Sequence, residues 1–229
     1  KMGDDNPHAY WPFHPTEEHL RKMIALNYGS ISFVDEAIGN ILTKLDKTGK
    51  AQDTILCFMS DHGDYMGDHG TVLKQGLHYN SVIRVPFIWS DPRSANDQSK
   101  TDLQGSAIDF APTVLQRAGL KVPIGMQGVD LFAADTENRP VLIEDQGTQI
   151  YVHGDSQCAI ISVVHDGWRI SLFEGEDIGE LFDLNNDPIE MNNLWAEPNV
   201  AAKKFDMLYI LALQQLKLRD RSLCATAQA

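Results

Sequence analysis

The 229-residue chain is 43% hydrophobic and carries a formal net charge of -13. Such acidity repels phosphate backbones and anionic bilayers, which argues against nucleic-acid binding and membrane adsorption. It leaves a small anionic substrate open, because a metal and a lysine set their own local potential. No run of about 18 apolar residues reads as a membrane-crossing helix, and Lys1-Met2-Gly3-Asp4-Asp5 lacks the apolar stretch of a signal peptide.

Residues 1–15 hold Pro7, Pro12 and Pro15 and read as an extended arm. Thr16 is a helix N-cap in type, and Glu17 and Glu18 suit the positive end of the helix dipole. Apolar residues from Leu20 to Leu45 recur at helical spacing, with Lys44 and Lys47 at the C-terminus and Gly49 beyond it. Gly29 and Gly39 interrupt this pattern, each costing about 1 kcal/mol relative to Ala. Thr54-Ile55-Leu56-Cys57-Phe58-Met59 is a continuous run of strand formers and reads as a central strand buried on both faces, as in parallel sheets. Residues 64–80 are loop-like. Val85 to Trp89 reads as a second strand with Pro86 near its start, and Ile108 to Ala118 as a helix with Asp109 as N-cap and Gly119 as C-cap. This order argues for an α/β layer.

The character changes near residue 135. Short strands are predicted at Val141 to Ile143, Ala159 to Val164, Trp168 to Phe173 and Glu180 to Leu184, with an Asp166-Gly167 hairpin turn. Asn185-Asn186-Asp187-Pro188 is a turn, and Pro198 to Leu218 is helical. Residues 1–135 therefore form an α/β domain, and residues 136–229 a small α+β subdomain with an antiparallel sheet and a C-terminal helix.

The sharpest chemical feature is Asp61-His62-Gly63 at the end of the first strand. Ligands of α/β sheets gather at strand ends. An adjacent Asp and His can present a hard oxygen and an imidazole nitrogen to one cation. The plain alternative is a polar strand end followed by a turn. Lys74 is the second candidate. A lysine beside a metal holds an anionic oxygen as a point charge, although most loop lysines simply face solvent. Asp64, Asp68 and His69 read equally as a solvated loop. His78 and the tryptophans Trp89, Trp168 and Trp195 read as packing. Cys57 and Cys158 sit in apolar runs and read as buried thiols, and with Cys224 they show no zinc or redox spacing.

Five stretches in order resemble the sulfatase family of the alkaline-phosphatase superfamily: Asn27-Tyr28-Gly29 with Asp35 and Gly39; Thr54 through Gly70; Lys74 with Tyr79 and Arg84-Val85-Pro86-Phe87-Ile88; Asp109 through Thr113 with Gly119 and Gln127-Gly128; and Glu180 through Leu184 with Asp187-Pro188, Glu190 and Asn193-Leu194. The resemblance implies the C-terminal part of an alkaline-phosphatase-like sheet-and-helix domain. It places Asp61 and His62 at the divalent-cation site, and Lys74 at the sulfate or phosphoryl oxygens. It implies Ca2+ first, with Mg2+ or Mn2+ as alternatives, and a small or saccharide sulfate ester as substrate. The Asp-His form resembles the bacterial sulfatase and phosphonate-monoester-hydrolase branches.

The family's nucleophile is a formylglycine made within C/S-x-P-x-R. No such motif occurs here: in Ser90-Asp91-Pro92-Arg93 the arginine follows proline directly. The formylglycine and the remaining acidic ligands are expected upstream of this chain. Asp4-Asp5, His8, His14, His153 and His165 are assigned no ligand role. The leading reading is thus the C-terminal portion of a sulfatase. The alternatives are a phosphonate-monoester or phosphodiester hydrolase, or a non-catalytic truncated module. The compartment stays open between a periplasmic or secreted setting and the cytoplasm, and the oligomeric state is unassigned.

Overall fold

A computed structural model describes residues 15–74, 76–94, 100–133, 138–146 and 158–219. Two compact units are present, one from the described residues up to Lys100 and one from Thr101 onward.

In the first unit, helix α1 runs from Glu17 to Lys47 without a break. Thr16 caps it reciprocally with His19: the Thr16 hydroxyl accepts the His19 N–H, and the Thr16 N–H is donated to the His19 ring, each at 3.3 Å. Gly29 and Gly39 do not interrupt the helix, and neither has a neighbour within 4 Å of where a Cβ would stand. The helix has the predicted apolar stripe, yet none of its residues is buried. Leu26, Tyr28, Phe33 and Ile41 are 63%, 67%, 75% and 64% exposed.

Strand β1, Leu56–Met59, pairs with β2, Phe87–Ser90. The ladder is antiparallel, from Leu56↔Ser90 to Met59↔Phe87. This corrects the expectation of a parallel-type strand buried on both faces. Phe58, Phe87 and Ile88 are exposed; an unbroken apolar run reports hydrophobicity but not strand direction. β2 also starts two residues later than predicted, after Pro86, which has no N–H to give a ladder. A short helix α2, Asn80–Ile83, precedes it.

In the second unit, α3, Phe110–Arg117, follows a 3₁₀ turn at Ala107–Asp109. Asp109 caps differently from the expectation. Its buried carboxylate reaches back to the Ser106 N–H at 2.8 Å, takes the Val129 N–H at 2.9 Å and pairs with Arg139. The helix ends in a Schellman motif: Gly119, at φ +70°, donates to Gln116 O, and Leu120 donates to Leu115 O. Gly128 lies so close to Ile108 O that a Cβ would stand 2.1 Å from it.

Strands β3, Val141–Asp145, β4, Ile160–His165, β5, Trp168–Phe173, and β6, Gly179–Asp183, form an antiparallel meander in sequence order. Asp166 and Gly167, at φ +51° and +71°, make the predicted hairpin turn. Val163, Ile170 and Leu181 stand in register across three strands, and Met207 and Leu211 of α4, Ala201–Lys217, cover them. Trp168 and Trp195 pack against this core, as the sequence suggested.

The opposite face of the sheet holds an ionic cluster. Arg169 is fully buried, with its guanidinium 2.9 Å from Glu180 and 2.5 Å from Glu190. The Arg169 guanidinium also donates to Ser171 and lies 4.8 Å above the Phe182 ring. Removing one partner of such a cluster strands buried charge, whereas replacing the whole cluster with apolar groups is far milder. Arg169→Met is expected to destabilise the second unit by about 3–5 kcal/mol, read from the urea midpoint. The triple variant Arg169→Met/Glu180→Leu/Glu190→Leu should recover most of that loss; if the triple is as unstable as the single, the burial argument fails.

The apolar face of α1 generates a second expectation. The purified chain should self-associate at micromolar concentration in light scattering, and Phe33→Lys/Ile41→Lys should reduce this. A monodisperse wild-type chain would refute it.

Candidate metal and anion site

Strand β1 ends at Met59, and the chain turns through Ser60 into Asp61-His62-Gly63. The Ser60 hydroxyl donates to His62 O at 2.9 Å, and the Asp61 carboxylate accepts the His62 N–H at 2.9 Å. His62 Nδ1 lies 2.8 Å from Gly63 O. A carbonyl only accepts, so Nδ1 is the donor in this contact, and Nε2 is the ring nitrogen turned toward Asp61. That Nε2 is 3.5 Å from Asp61 Oδ2. One imidazole nitrogen and one carboxylate oxygen thus lie side by side at the end of the strand. The Asp61 side chain is 84% exposed.

Asp61 is held below the usual carboxylate range. The His62 backbone N–H is the largest cause; desolvation, the next, opposes it, and the nearby His62 ring, the Asp61 backbone N–H and, least, Lys74 add to the lowering. Lys74 is exposed, in the loop beyond. The structure therefore brings Asp61 and His62 together, and Lys74 lies exposed in the loop that follows.

The donor set fits a divalent cation as part of a shell: a hard oxygen with an imidazole nitrogen. Among the described residues, no group of three or more His, Cys, Asp or Glu side chains converges on one point. Asp4, Asp5, His8, His14, His153 and Cys224 lie outside the described residues.

Gly63 is the residue that lets this corner form. Its N–H donates to Val82 O at 2.7 Å, and a Cβ there would stand 1.9 Å from Ser81 O. The loop that follows is tied to the same 77–82 segment. Tyr65, 1% exposed, donates its hydroxyl to Leu77 O at 2.6 Å; Ser81 donates to Asp68; and the His69 ring stacks on Tyr79 with centroids 3.8 Å apart. Asp68, exposed as a solvated loop residue would be, and His69 both also help to hold the loop. His78 is buried, in agreement with a packing role. Sequence reasoning missed Tyr65, whose only signal was an aromatic in an otherwise polar loop. Cys57 and Cys158 are partly rather than fully buried, and burial pushes the Cys57 thiol up.

The sulfatase family profile matches residues 4–120, and the profile for the C-terminal region of N-sulphoglucosamine sulphohydrolase matches residues 67–217. An N-acetylglucosamine-6-O-sulfatase of Bacteroides thetaiotaomicron is 31% identical over 211 residues, covering 89% of this chain and 37% of that protein. The phosphonate monoester hydrolase of Agrobacterium radiobacter superposes with a TM-score of 0.81 at 25% identity, over 91% of this chain and 44% of the other. An enzyme solved with its substrate D-glucosamine-2-N,6-O-disulfate superposes with a TM-score of 0.68 at 28% identity, over 83% of this chain and 40% of the other. The chain spans about two fifths of the length of the curated relatives it matches. With one family profile covering just over half its length and the alkaline-phosphatase-like fold shared with these structures, the chain belongs to the sulfatase family.

Proposed function

We propose that this chain is the C-terminal portion of a metal-dependent sulfatase that hydrolyses sulfate esters, with a saccharide sulfate as the substrate class. The observation that carries the reading is the Asp61–His62 corner, where Nε2 and Oδ2 lie 3.5 Å apart and Nδ1 donates to Gly63 O. In a member of the sulfatase family, that corner is the metal's protein-side anchor, with Ca2+ the first candidate. When bound, the cation supplies Lewis-acid polarisation of an anion's oxygen.

The chain's own residues divide the work. Asp61 remains a carboxylate and contributes negative charge. His62 offers Nε2, its ring oriented by the Nδ1 contact with Gly63 O. Lys74 offsets charge on the equatorial oxygens of a tetrahedral anion, an effect that strengthens as charge develops. The nucleophile, a formylglycine in this family, and the remaining acidic ligands are supplied from outside this chain. The saccharide class rests on relatives: the sulfatase acting on N-acetylglucosamine-6-O-sulfate and the glucosamine-disulfate complex. A phosphonate-monoester activity is the second reading, supported by the Agrobacterium enzyme's likeness in fold and sequence.

Two outcomes are expected. The 229-residue chain alone turns over no aryl sulfate with Ca2+, Mg2+ or Mn2+, because it lacks a nucleophile; metal-dependent turnover by it would overturn the reading. In the longer protein, Lys74→Ala lowers kcat/KM by about a hundredfold or more, and Asp61→Asn or His62→Ala weakens Ca2+ binding in calorimetry. Undiminished Ca2+ affinity in both ligand variants would remove the metal assignment. Higher kcat/KM on a phenyl phosphonate monoester than on an aryl sulfate would favour the second reading.

A further inference from the structure

Between the Asp61–His62 corner and Lys74, the loop contains backbone that ordinary side chains avoid. Leu73, the residue immediately before Lys74, has φ +61°. For a bulky residue that is the left-handed region, where Cβ crowds the carbonyl oxygen that follows. Its side chain does not hold it there, since it is 43% exposed. A backbone bond does: the Tyr65 N–H donates to Leu73 O at 3.3 Å. The same Tyr65, buried at 1% exposure, donates its hydroxyl to Leu77 O at 2.6 Å. One buried tyrosine therefore pins the chain on both sides of Lys74, at 73 and at 77, and Tyr65 itself lies four residues after Asp61.

Resting on the reading of Lys74 as the anion-contacting lysine, we propose that Leu73 is a positioning residue whose left-handed backbone, clamped by Tyr65, sets the side of the loop from which Lys74 reaches an anion at the Asp61–His62 corner. With Leu73 O and Leu77 O both held, the sign of φ at 73 decides the direction in which the chain enters Lys74. A right-handed or extended residue there turns Lys74 away while leaving the clamps in place. Strained backbone is retained where the surrounding structure over-determines it, and it concentrates at ligand sites.

The test uses Mn2+ as a paramagnetic probe of distance. It is added to the 229-residue chain with labelled lysine and histidine, in the Phe33→Lys/Ile41→Lys background to limit self-association. Mn2+ should broaden both His62 and Lys74 resonances. Leu73→Asn and Leu73→Gly, which accept positive φ, should keep the Lys74 broadening, with a Tm at or above that of the parent chain. Leu73→Val, which resists positive φ, should keep the His62 broadening and lose that of Lys74 several-fold. Lys74 broadening unchanged in the Val variant overturns the proposal, and so does its loss in the Asn variant, which stands as a test even where the Val variant does not fold. Where the parent chain shows no His62 broadening, the same variants are compared in the longer protein, which supplies the remaining ligands; no His62 broadening there removes the metal reading and the proposal with it.

Discussion

The Gly63 N–H lies 2.7 Å from Val82 O, and this contact exists only because position 63 has no Cβ to strike Ser81 O. On it depends the geometry of the candidate site. It docks the end of β1 against the segment that opens α2, so Asp61 and His62 leave the strand in a fixed direction. The next residues are then tied to that same segment through Tyr65, Asp68 and His69. The result is a loop tied at several points, between the Asp-His corner and Lys74, to the segment from Leu77 to Val82. A site that must present a cation and a lysine to one small anion needs this, because misplacement by an ångström is costly in catalysis.

Much of this was legible in the residues. The N-cap at Thr16, the turn at Asp166-Gly167 and the four strands of the meander follow from local chemistry: a hydroxyl with an orphan N–H to satisfy, two residues that tolerate positive φ, and apolar runs broken by turn residues. Asp61-His62-Gly63 was readable as a strand-end corner for the same reason. What was not readable depended on partners distant in sequence. The apolar run at Thr54 to Met59 was read as parallel and doubly buried, yet β1 lies antiparallel to β2 with Phe58 exposed. Asp109 looked like an N-cap, but its side chain serves Ser106, Val129 and Arg139 at once. No local pattern announces Tyr65, whose importance comes from carbonyls eight and twelve residues away.

The C-terminal signature separates structural from chemical resemblance. Glu180 and Glu190 close on the buried Arg169. Asp183 and Asp187 accept backbone N–H groups of Asn185 and Asn192 in the turns they precede. Asn193 takes the Leu181 and Trp195 N–H groups and donates to Gly179 O, sewing the following segment to the edge strand β6. Each of these residues satisfies a polar group that the fold would otherwise leave unpaired. They account structurally for this stretch of the sulfatase pattern. The candidate site residues Asp61, His62 and Lys74, by contrast, all lie in the first unit.

The distribution of unusual backbone supports that division. Outside glycine, positive φ occurs among the described residues at Met66, His69, Leu73, Asn138, Asp166 and Glu190. Asn138 and Asp166 are residue types that tolerate it. Glu190 is buried and fastened by its ion pair with Arg169. The three that remain have neither excuse of residue type nor of buried charge, except that His69 is among the more tolerant side chains. All three fall between His62 and Lys74. Fold stability alone gives no reason to collect strain in one exposed loop, since a glycine or asparagine at each position would carry the same chain path more cheaply. A requirement on where the loop delivers its lysine does give one, and Leu73, adjacent to Lys74 and held only through its own carbonyl, is where that requirement acts most directly.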